Sequence, residues 1–336
     1  MSAALPISAA TSPYPIALAD VVAARERMAP YLRPTPLRSY AMLDSSVGHG
    51  IQVLVKHENH QPTNAFKVRN ALSAMTRLSD EQRARGVIGA SRGNHGLGLA
   101  YGGHLLGVSV TICVPLGNNP EKNEAMRGLG AEVVEEGRDY DESVVVADRL
   151  VRERGLTLVH STNNRDVIAG AGTLTLEMLE EAPDLDAIVM SLGGGSQAVG
   201  ALTVVREMRP GVRVYAVQAD GAPAGYESWR AGTRVTTPSA HTFADGIATR
   251  SAYELTFPAL RDGLADFVLV SDEEIVSALR LLLRTTHTLV EGAGAAGLAG
   301  LFTLREALAG HRVAIVLSGG NIDQATLQWV VGSARA

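Results

Sequence analysis

Cysteine and long apolar runs are scarce in this chain of 336 residues. Cysteine occurs once, at Cys113 within an apolar, strand-like run, which excludes a disulfide framework and indicates a buried, inert thiol in a reducing compartment. No run of about eighteen apolar residues is present, which excludes a transmembrane helix. The segment from Met1 to Ser12 also lacks the charged start and apolar core of a signal peptide. The sequence therefore predicts a cytoplasmic protein.

Basic runs are missing as well. Thirty basic residues stand against thirty-five acidic ones, for a formal net charge of -5. This charge distribution gives no indication of a basic surface that would bind nucleic acid or an anionic membrane. With 46% hydrophobic residues, the chain is globular and long enough for two domains or one large α/β unit. A small molecule is the expected partner.

Lysine is the rarest basic residue, with only Lys56, Lys67 and Lys122 against a background of arginine. Lys67 lies in the segment PTNAFKVRN, a turn that leads into a predicted helix. A lysine amine in a partly dry pocket loses its proton readily and becomes nucleophilic, and unlike arginine it can form an imine with an aldehyde. Lys67 is therefore the main candidate for covalent chemistry.

Short apolar runs alternate with longer amphipathic segments along the chain. The predicted strands span 51–56, 87–91, 109–114, 132–135, 157–160, 187–191, 212–217, 267–270 and 313–317. The predicted helices include 94–106, 141–153, 166–180, 273–289 and 324–331. This alternation predicts an α/β fold of parallel-rich, twisted sheets covered by helices, in which ligands bind at the carboxyl ends of strands.

Three glycine-rich turns follow predicted strands: SRGNHG at 91–96, GGGS at 193–196 and SGGN at 318–321. The backbone N–H groups of Gly193 to Gly195, at the start of a predicted helix, suit a phosphate, although a tight turn alone can also require glycine. The lysine of a P-loop is absent, which disfavours a nucleoside triphosphate. Together with Lys67, these turns predict a lysine-bound pyridoxal 5'-phosphate.

Two other motifs are interpreted as structural. GAGAAG at 292–297 matches the dinucleotide-binding pattern, but the residues before it have helical periodicity, so close helix packing is favoured and an NAD-dependent oxidoreductase is the weakest alternative. His57 and His60 lack the spacing of a zinc-binding helix and a third ligand nearby. No metal site is predicted.

Ser318 follows a predicted strand and offers a hydroxyl where a ring nitrogen of the cofactor could point. A carboxylate there would keep the pyridine nitrogen protonated and make a strong electron sink, whereas a neutral hydroxyl leaves the ring largely unprotonated. A moderate sink favours prompt expulsion of a β-leaving group, which points to β-elimination. The alternative is a serine that caps the next turn.

The ordered motifs resemble those of the fold-type II pyridoxal phosphate enzymes, which share the fold of the tryptophan synthase β subunit, and most of all serine/threonine dehydratases and serine racemase. They are FKVR at 66–69, SRGNHG at 91–96, AGAGT at 169–173, GGG at 193–195, ADG at 244–246 and LSGGN at 317–321. The resemblance extends over about residues 19–331. It implies a large cofactor-binding domain, 1–82 with 164–336, and a small mobile domain, 83–163, that closes over substrate.

The resemblance also implies a role for each site residue. Lys67 would be the Schiff-base lysine and the base for the α-proton. The remaining cofactor contacts would be Phe66 beside the ring, Asn94 at the ring hydroxyl, Gly193, Gly194, Gly195, Ser196 and Gln197 at the phosphate, and Ser318 at the ring nitrogen. Ser91, Asn94 and His95 would bind the substrate carboxylate.

Four departures from the family pattern narrow the prediction. Ser196 replaces the fourth glycine of the usual phosphate loop, and Asn64, Ala65 and Asn70 replace small residues close to the cofactor, which suggests a reshaped pocket. Arg92 stands where serine racemase-like members carry a serine that reprotonates the opposite face, and a guanidinium is a poor base, so racemisation is disfavoured. We interpret Arg92 as a substrate-binding residue that selects a carboxylate or an aromatic ring, or blocks the pocket; an arginine turned to solvent is the alternative. Gln218 and Ala224 replace carboxylates of metal-binding members.

The sequence thus predicts a dehydratase, or ammonia-lyase, that converts a β-hydroxy-α-amino acid to a 2-oxo acid and ammonia. The substrate is threonine or serine, or a bulkier compound such as 3-phenylserine or 3-hydroxyaspartate. A homodimer or larger homo-oligomer is expected. The alternatives are another β-elimination or β-replacement enzyme of this fold, an amino-acid racemase, and a catalytically silent protein that binds the cofactor.

Overall fold

The computed structural model describes residues 12–332, so most of the segment in which a signal peptide was sought lies outside the described residues. The helices are α1 Leu18–Met28, α2 Ala41–Val47, α3 Lys67–Met75, α4 Asp80–Arg85, α5 Asn94–Leu106, α6 Pro120–Gly128, α7 Tyr140–Arg154, α8 Arg165–Glu181, α9 Ser196–Met208, α10 Ala224–Ala231, α11 Phe257–Gly263, α12 Asp272–Thr286, α13 Gly292–Leu304 and α14 Gln324–Gly332. Across residues 12–332, no helix has the length and apolarity needed to cross a membrane.

The strands form two sheets. They are β1 Leu37–Ser39, β2 Gln52–Lys56, β3 Val87–Ala90, β4 Val110–Val114, β5 Glu132–Glu135, β6 Thr157–Leu158, β7 Ala187–Ser191, β8 Arg213–Ala219, β9 Asp266–Val270 and β10 Arg312–Val316. The larger sheet has the order β1-β2-β10-β7-β8-β9, and only β1 runs antiparallel to its neighbour. The smaller sheet, β5-β4-β3-β6, is entirely parallel.

These sheets confirm the predicted α/β fold with parallel-rich sheets covered by helices. Nine of the ten strands coincide with predicted runs to within two residues at each end. The tenth, β1, was not predicted because its three residues are too short to show a periodicity. It pairs with β2, with Leu37 opposite Lys56, and so covers an edge of the larger sheet.

Helix α12 ends earlier than predicted. It begins with a capping box in which Ser271 Oγ accepts a hydrogen bond from the Glu274 N–H and the Glu274 carboxylate accepts one from the Ser271 N–H. It ends at Thr286 because His287 adopts a left-handed backbone with φ of 52°. The prediction extended the helix to residue 289. The residues after His287 instead form a short irregular segment that ends at Glu291, which lines a cavity.

The GAGAAG motif lies at the start of helix α13, and no strand precedes it. A Cβ at Gly300 would lie 2.2 Å from Val217 Cγ2 on β8, and one at Gly297 would lie 3.2 Å from the Val189 carbonyl oxygen on β7. Gly297 in the motif and Gly300 just after it therefore let α13 pack directly on the larger sheet. This close contact supports the interpretation of the motif as a helix-packing feature.

Helix α3, which starts at Lys67, is anchored by a buried cluster of four charges. Arg69 donates two hydrogen bonds to Glu58, of 2.8 and 2.9 Å, and two to Glu177, of 2.6 and 2.8 Å. Lys56 donates to Glu177 at 2.6 Å. Two cations thus balance two carboxylates, and each charge is both paired and hydrogen-bonded, as burial requires. The cluster ties α3 to β2 and α8.

Candidate active site

One cavity brings Lys67 and all three glycine-rich turns together. Ser91 follows β3, Gly193 follows β7 and Ser318 follows β10, so the turns lie at the carboxyl ends of parallel strands as predicted. The turn before Lys67 is joined to the Ser318 turn, because the Phe66 N–H donates to the Ser318 carbonyl at 2.9 Å. Segments far apart in sequence therefore form one wall.

Lys67 is the first residue of α3, and its side chain enters the cavity. Its Nζ donates a long hydrogen bond, 3.5 Å, to the Ser161 carbonyl and lies 4.9 Å from the centre of the Phe66 ring. Burial lowers the pKa of Lys67 to about 8. The amine is therefore partly unprotonated near neutral pH, as a nucleophile or a base requires.

The glycine turn at 193–195 can only be built from small residues. A Cβ at Gly193 would lie 2.6 Å from the Gly246 carbonyl oxygen, and one at Gly194 would lie 2.1 Å from Thr162 Oγ1. Gly195, at the start of α9, has φ of 95°, a conformation that favours glycine. The turn therefore presents bare backbone N–H groups and a helix N-terminus to the cavity.

The residues of this turn fit the phosphate of a bound cofactor. Gln197 Nε2 is buried and, within residues 12–332, has no hydrogen-bond partner. An orphaned buried donor is costly unless a ligand satisfies it. Ser196 and Gln197 follow Gly195 in the first turn of α9, where a negative charge is stabilised by the helix dipole. The donor set thus suits an anion such as a phosphate.

Ser318 is buried and lines the same cavity. Within the described part of the chain its hydroxyl makes no hydrogen bond, so its proton remains available to a ligand. A neutral hydroxyl at this position is compatible with an unprotonated pyridine nitrogen.

The turn at 91–96 has a rigid interior and an exposed rim. Ser91 Oγ accepts a hydrogen bond from the Gly93 N–H at 3.1 Å, and His95 Nε2 lies 3.0 Å from the Val159 carbonyl. Burial, with Lys67 nearby, lowers the pKa of His95 to about 3, so the ring is neutral. His95 therefore offers no positive charge to a substrate, and the carboxylate-binding roles of Ser91, Asn94 and His95 stay predictions. Arg92 is exposed at the rim.

Asn94 is held by two partners that sequence reasoning did not connect to it. Its Nδ2 donates to Glu291 Oε1 at 2.6 Å, and its Oδ1 accepts from Asn321 Nδ2 at 2.8 Å. Burial, and then the nearby Asp245, raise the pKa of Glu291 to about 7. Glu291 was missed, although a lone charge within the apolar stretch around Leu289 and Val290 was a usable signal.

The third lysine also reaches the site. Lys122 Nζ lies 2.5 Å from Asp245 Oδ2, and a Cβ at Gly93 would be only 3.1 Å from Lys122 Cδ. Two phenols line the cavity as well, those of Tyr140 and Tyr253. These residues were not predicted, because nothing in their local sequence marks them as neighbours of Lys67.

Gln218 and Ala224 stand where metal-binding members of the family carry carboxylates, and these two side chains do not suit a divalent cation. Gln218 Oε1 accepts hydrogen bonds from the Gly225 and Tyr226 N–H groups at 3.0 and 3.1 Å, and Gln218 Nε2 donates to Thr249 at 3.3 Å. The amide is uncharged, and its oxygen already accepts two hydrogen bonds. Among residues 12–332 no cluster of three metal-ligating side chains occurs.

The chain is similar to proteins of known activity. The family model described as "Pyridoxal-phosphate dependent enzyme" matches residues 28–319. An L-threonine ammonia-lyase of Geobacter sulfurreducens is 44% identical over 282 residues, which cover 84% of this chain and 70% of that protein. An L-threo-3-hydroxyaspartate ammonia-lyase of Saccharomyces cerevisiae is 36% identical over 304 residues, 90% of this chain and 93% of that protein.

A solved structure extends the similarity to the whole fold. Maize serine racemase superposes with a TM-score of 0.90 at 31% identity and covers 95% of this chain and 98% of its own. The predicted family, fold type and cofactor are thereby confirmed. This chain belongs to the pyridoxal-phosphate dependent enzyme family.

Proposed function

We propose that this protein is a pyridoxal phosphate-dependent ammonia-lyase that removes water from a β-hydroxy-α-amino acid and releases a 2-oxo acid and ammonia. One observation carries the proposal: the Lys67 amine, with its pKa lowered to about 8, shares a cavity with an anion-binding glycine turn and an uncharged Ser318. The ammonia-lyases among its relatives support the same reaction class.

Each residue has a separate task in this reaction. The bound cofactor supplies a conjugated ring that accepts the electrons released at the substrate α-carbon. Lys67 would hold the cofactor covalently, and its amine would serve as the base that removes the substrate α-proton. Gly193 to Gln197 would hold the phosphate of the cofactor, and Ser318 would offer its ring a neutral hydroxyl.

A panel of β-hydroxy amino acids tests the proposal directly. We expect oxo-acid and ammonia formation from at least one of L-serine, L-threonine, L-threo-3-hydroxyaspartate and 3-phenylserine, measured by coupled assay. Absence of product from all four would contradict the proposal and favour a silent cofactor-binding protein. Incorporation of an added thiol into the product would instead identify a β-replacement enzyme.

Arg92 is proposed to select the substrate side chain. Its guanidinium lies exposed at the rim of the cavity, and no hydrogen bond or ion pair joins it to another residue of the 12–332 region. We expect Arg92→Ala to lower kcat/KM for 3-hydroxyaspartate or 3-phenylserine about tenfold relative to threonine, since one charged or stacking contact is lost. Arg152→Ala, a change at another exposed arginine, is the control. Unchanged relative kcat/KM values would remove Arg92 from specificity.

The lowered pKa of Lys67 predicts how cofactor uptake depends on pH. Only the unprotonated amine can attack an aldehyde, so the rate of covalent uptake by the apoprotein should rise with pH and level off above about 8. Stopped-flow absorbance between pH 6.5 and 9.5 measures this rate. A simple lysine derivative, with a pKa of about 10.4, should keep gaining rate over the whole range. The same continued rise in the protein would contradict the lowered pKa.

We further propose that residues 83–163 move as a small domain that closes over substrate. The four-stranded sheet is formed by this segment. Contacts such as Lys122 to Asp245 and Asn94 to Glu291 join the segment to the rest of the protein across the cavity.

We also propose that the protein is cytoplasmic and that it forms a homodimer or a larger homo-oligomer. Light scattering of the purified holoenzyme tests the oligomer.

A further inference from the structure

Two hydroxyl groups lie on the cavity wall next to Lys67. Tyr140, the first residue of α7, and Ser161, which follows β6, both line the cavity, and their hydroxyl oxygens are 3.0 Å apart. The backbone carbonyl of the same Ser161 accepts the hydrogen bond from Lys67 Nζ. An uncharged pair of proton-bearing groups therefore adjoins the lysine amine.

A third hydroxyl continues this pair. Tyr253 lines the cavity from the segment before α11, and its hydroxyl interacts with that of Tyr140. The His160 ring packs edge-on against Tyr253 at 5.6 Å and holds its position. Each hydroxyl can donate one proton and accept another, so a proton leaving one member can be replaced from its neighbour.

Burial shifts the pKa values on this wall in opposite directions. It raises the pKa of Tyr140 and of Tyr253, so both phenols keep their protons at neutral pH. It lowers the pKa of Lys67, so the amine can lose its proton. Titratable groups whose pKa values are pushed apart are the pattern expected of a catalytic acid and its base.

Several other titratable side chains of the cavity are engaged elsewhere. Lys122 forms an ion pair with Asp245, and Glu291 accepts a hydrogen bond from Asn94. His95 is neutral, and its Nε2 is directed at the Val159 carbonyl. Ser161 carries one hydroxyl of the pair, and its backbone carbonyl contacts the amine that is proposed to remove the α-proton.

We propose that the Tyr140–Ser161 hydroxyl pair donates the proton that the β-hydroxyl needs in order to leave, an inference that rests on the proposed dehydratase function. Lys67 takes the α-proton, and the electrons of that bond form the double bond between the α- and β-carbons. The carbon–oxygen bond breaks, and the departing oxygen takes a proton from the pair and leaves as water. The proton on Lys67 then restores the pair, so protons and electrons balance without a further reactant.

Changing the leaving group tests this assignment. Chloride leaves without a proton, whereas hydroxide does not, so the pair should matter only for the hydroxyl. We expect Tyr140→Phe and Ser161→Ala to lower kcat/KM for the best β-hydroxy substrate about 10²-fold, the usual size of a general-acid effect. With 3-chloro-L-alanine, kcat/KM should stay within about twofold of the wild type.

Three controls separate a chemical role from a structural one. Tyr101→Phe removes a phenol outside the cavity and should leave both substrates unaffected. The visible absorbance of the holoenzyme and its melting temperature should match the wild type in every variant. If the wild-type protein forms no oxo acid from any β-hydroxy amino acid, the proposed function itself is refuted.

The ratio of the two kcat/KM values decides the outcome. A fall in the ratio of hydroxyl to chloride substrate in either variant assigns the proton to this pair. A ratio that stays within about twofold of the wild type in both variants overturns the proposal and assigns the proton to another donor, such as the cofactor phosphate.

Discussion

Lys67→Ala is expected to lower kcat/KM for oxo-acid formation by at least about 10³-fold, because one side chain supplies both the covalent link to the cofactor and the base. The visible absorbance of a lysine-linked cofactor should disappear as well. Both follow from the position of the amine, which faces the cavity and, among residues 12–332, has only the Ser161 carbonyl, at 3.5 Å, as a hydrogen-bond partner. Oxo-acid assays and absorbance spectra of the reconstituted variant measure the two effects.

Lys67→Arg is the matched control for charge. Arginine keeps a cation at this position but cannot form the imine or lose a proton near neutral pH, so the variant should be as inactive as Lys67→Ala. The buried phosphate site should remain, and both variants should still bind the cofactor without a covalent link. More than about a tenth of wild-type activity in either variant would show that another group is the base.

Arg69→Met is expected to reduce the free energy of unfolding by about 3–5 kcal/mol, the usual cost of removing one partner from a buried ion pair. Arg69 is 3% exposed, and its partners Glu58 and Glu177 are 0% and 8% exposed. Without Arg69, two buried carboxylates would face only Lys56, which leaves one uncompensated negative charge. Urea unfolding followed by circular dichroism measures the change.

Arg25→Met is the matched control, because it removes one partner of an ion pair that is exposed to solvent. Arg25 lies 2.7 Å from Glu180, as close as the buried pairs, but the two side chains are 37% and 47% exposed. Water already solvates these charges, so the loss should stay within about 1 kcal/mol. The double variant Glu58→Gln with Arg69→Met should cost less than the sum of its single variants, since it removes one charge of each sign. Equal losses for Arg25 and Arg69 would contradict the role of burial.

Much of the fold could be predicted because strands and helices have different periodicities. Buried parallel strands are continuous apolar runs, and nine of the ten were recognised from them. The short strand β1 and the early end of α12 were not, because a three-residue strand has no period and a left-handed His287 follows from tertiary packing more than from local preference. Such errors affect element ends and edges.

The residues of the site also fall into two groups, those that the sequence predicted and those that it did not. Lys67 and the glycine turns are short contiguous motifs, in which a lysine or a run of glycines has few other uses. Glu291, Tyr140, Tyr253 and Lys122 are single residues outside any recognisable motif, and only the folded chain places them around the cavity. Their chemical behaviour also depends on burial, which shifts the pKa of Tyr140 upward.

The sequence by itself determined the fold class and the cofactor and predicted its lysine, because hydrophobic periodicity and glycine-rich motifs are local properties of the chain. Only the tertiary structure decided which groups surround that lysine and which of them hold protons. Contacts between residues far apart in sequence, such as Asn94 and Glu291, and the loss of water around them arise only when the chain folds. Desolvation then sets the pKa values on which the reaction depends.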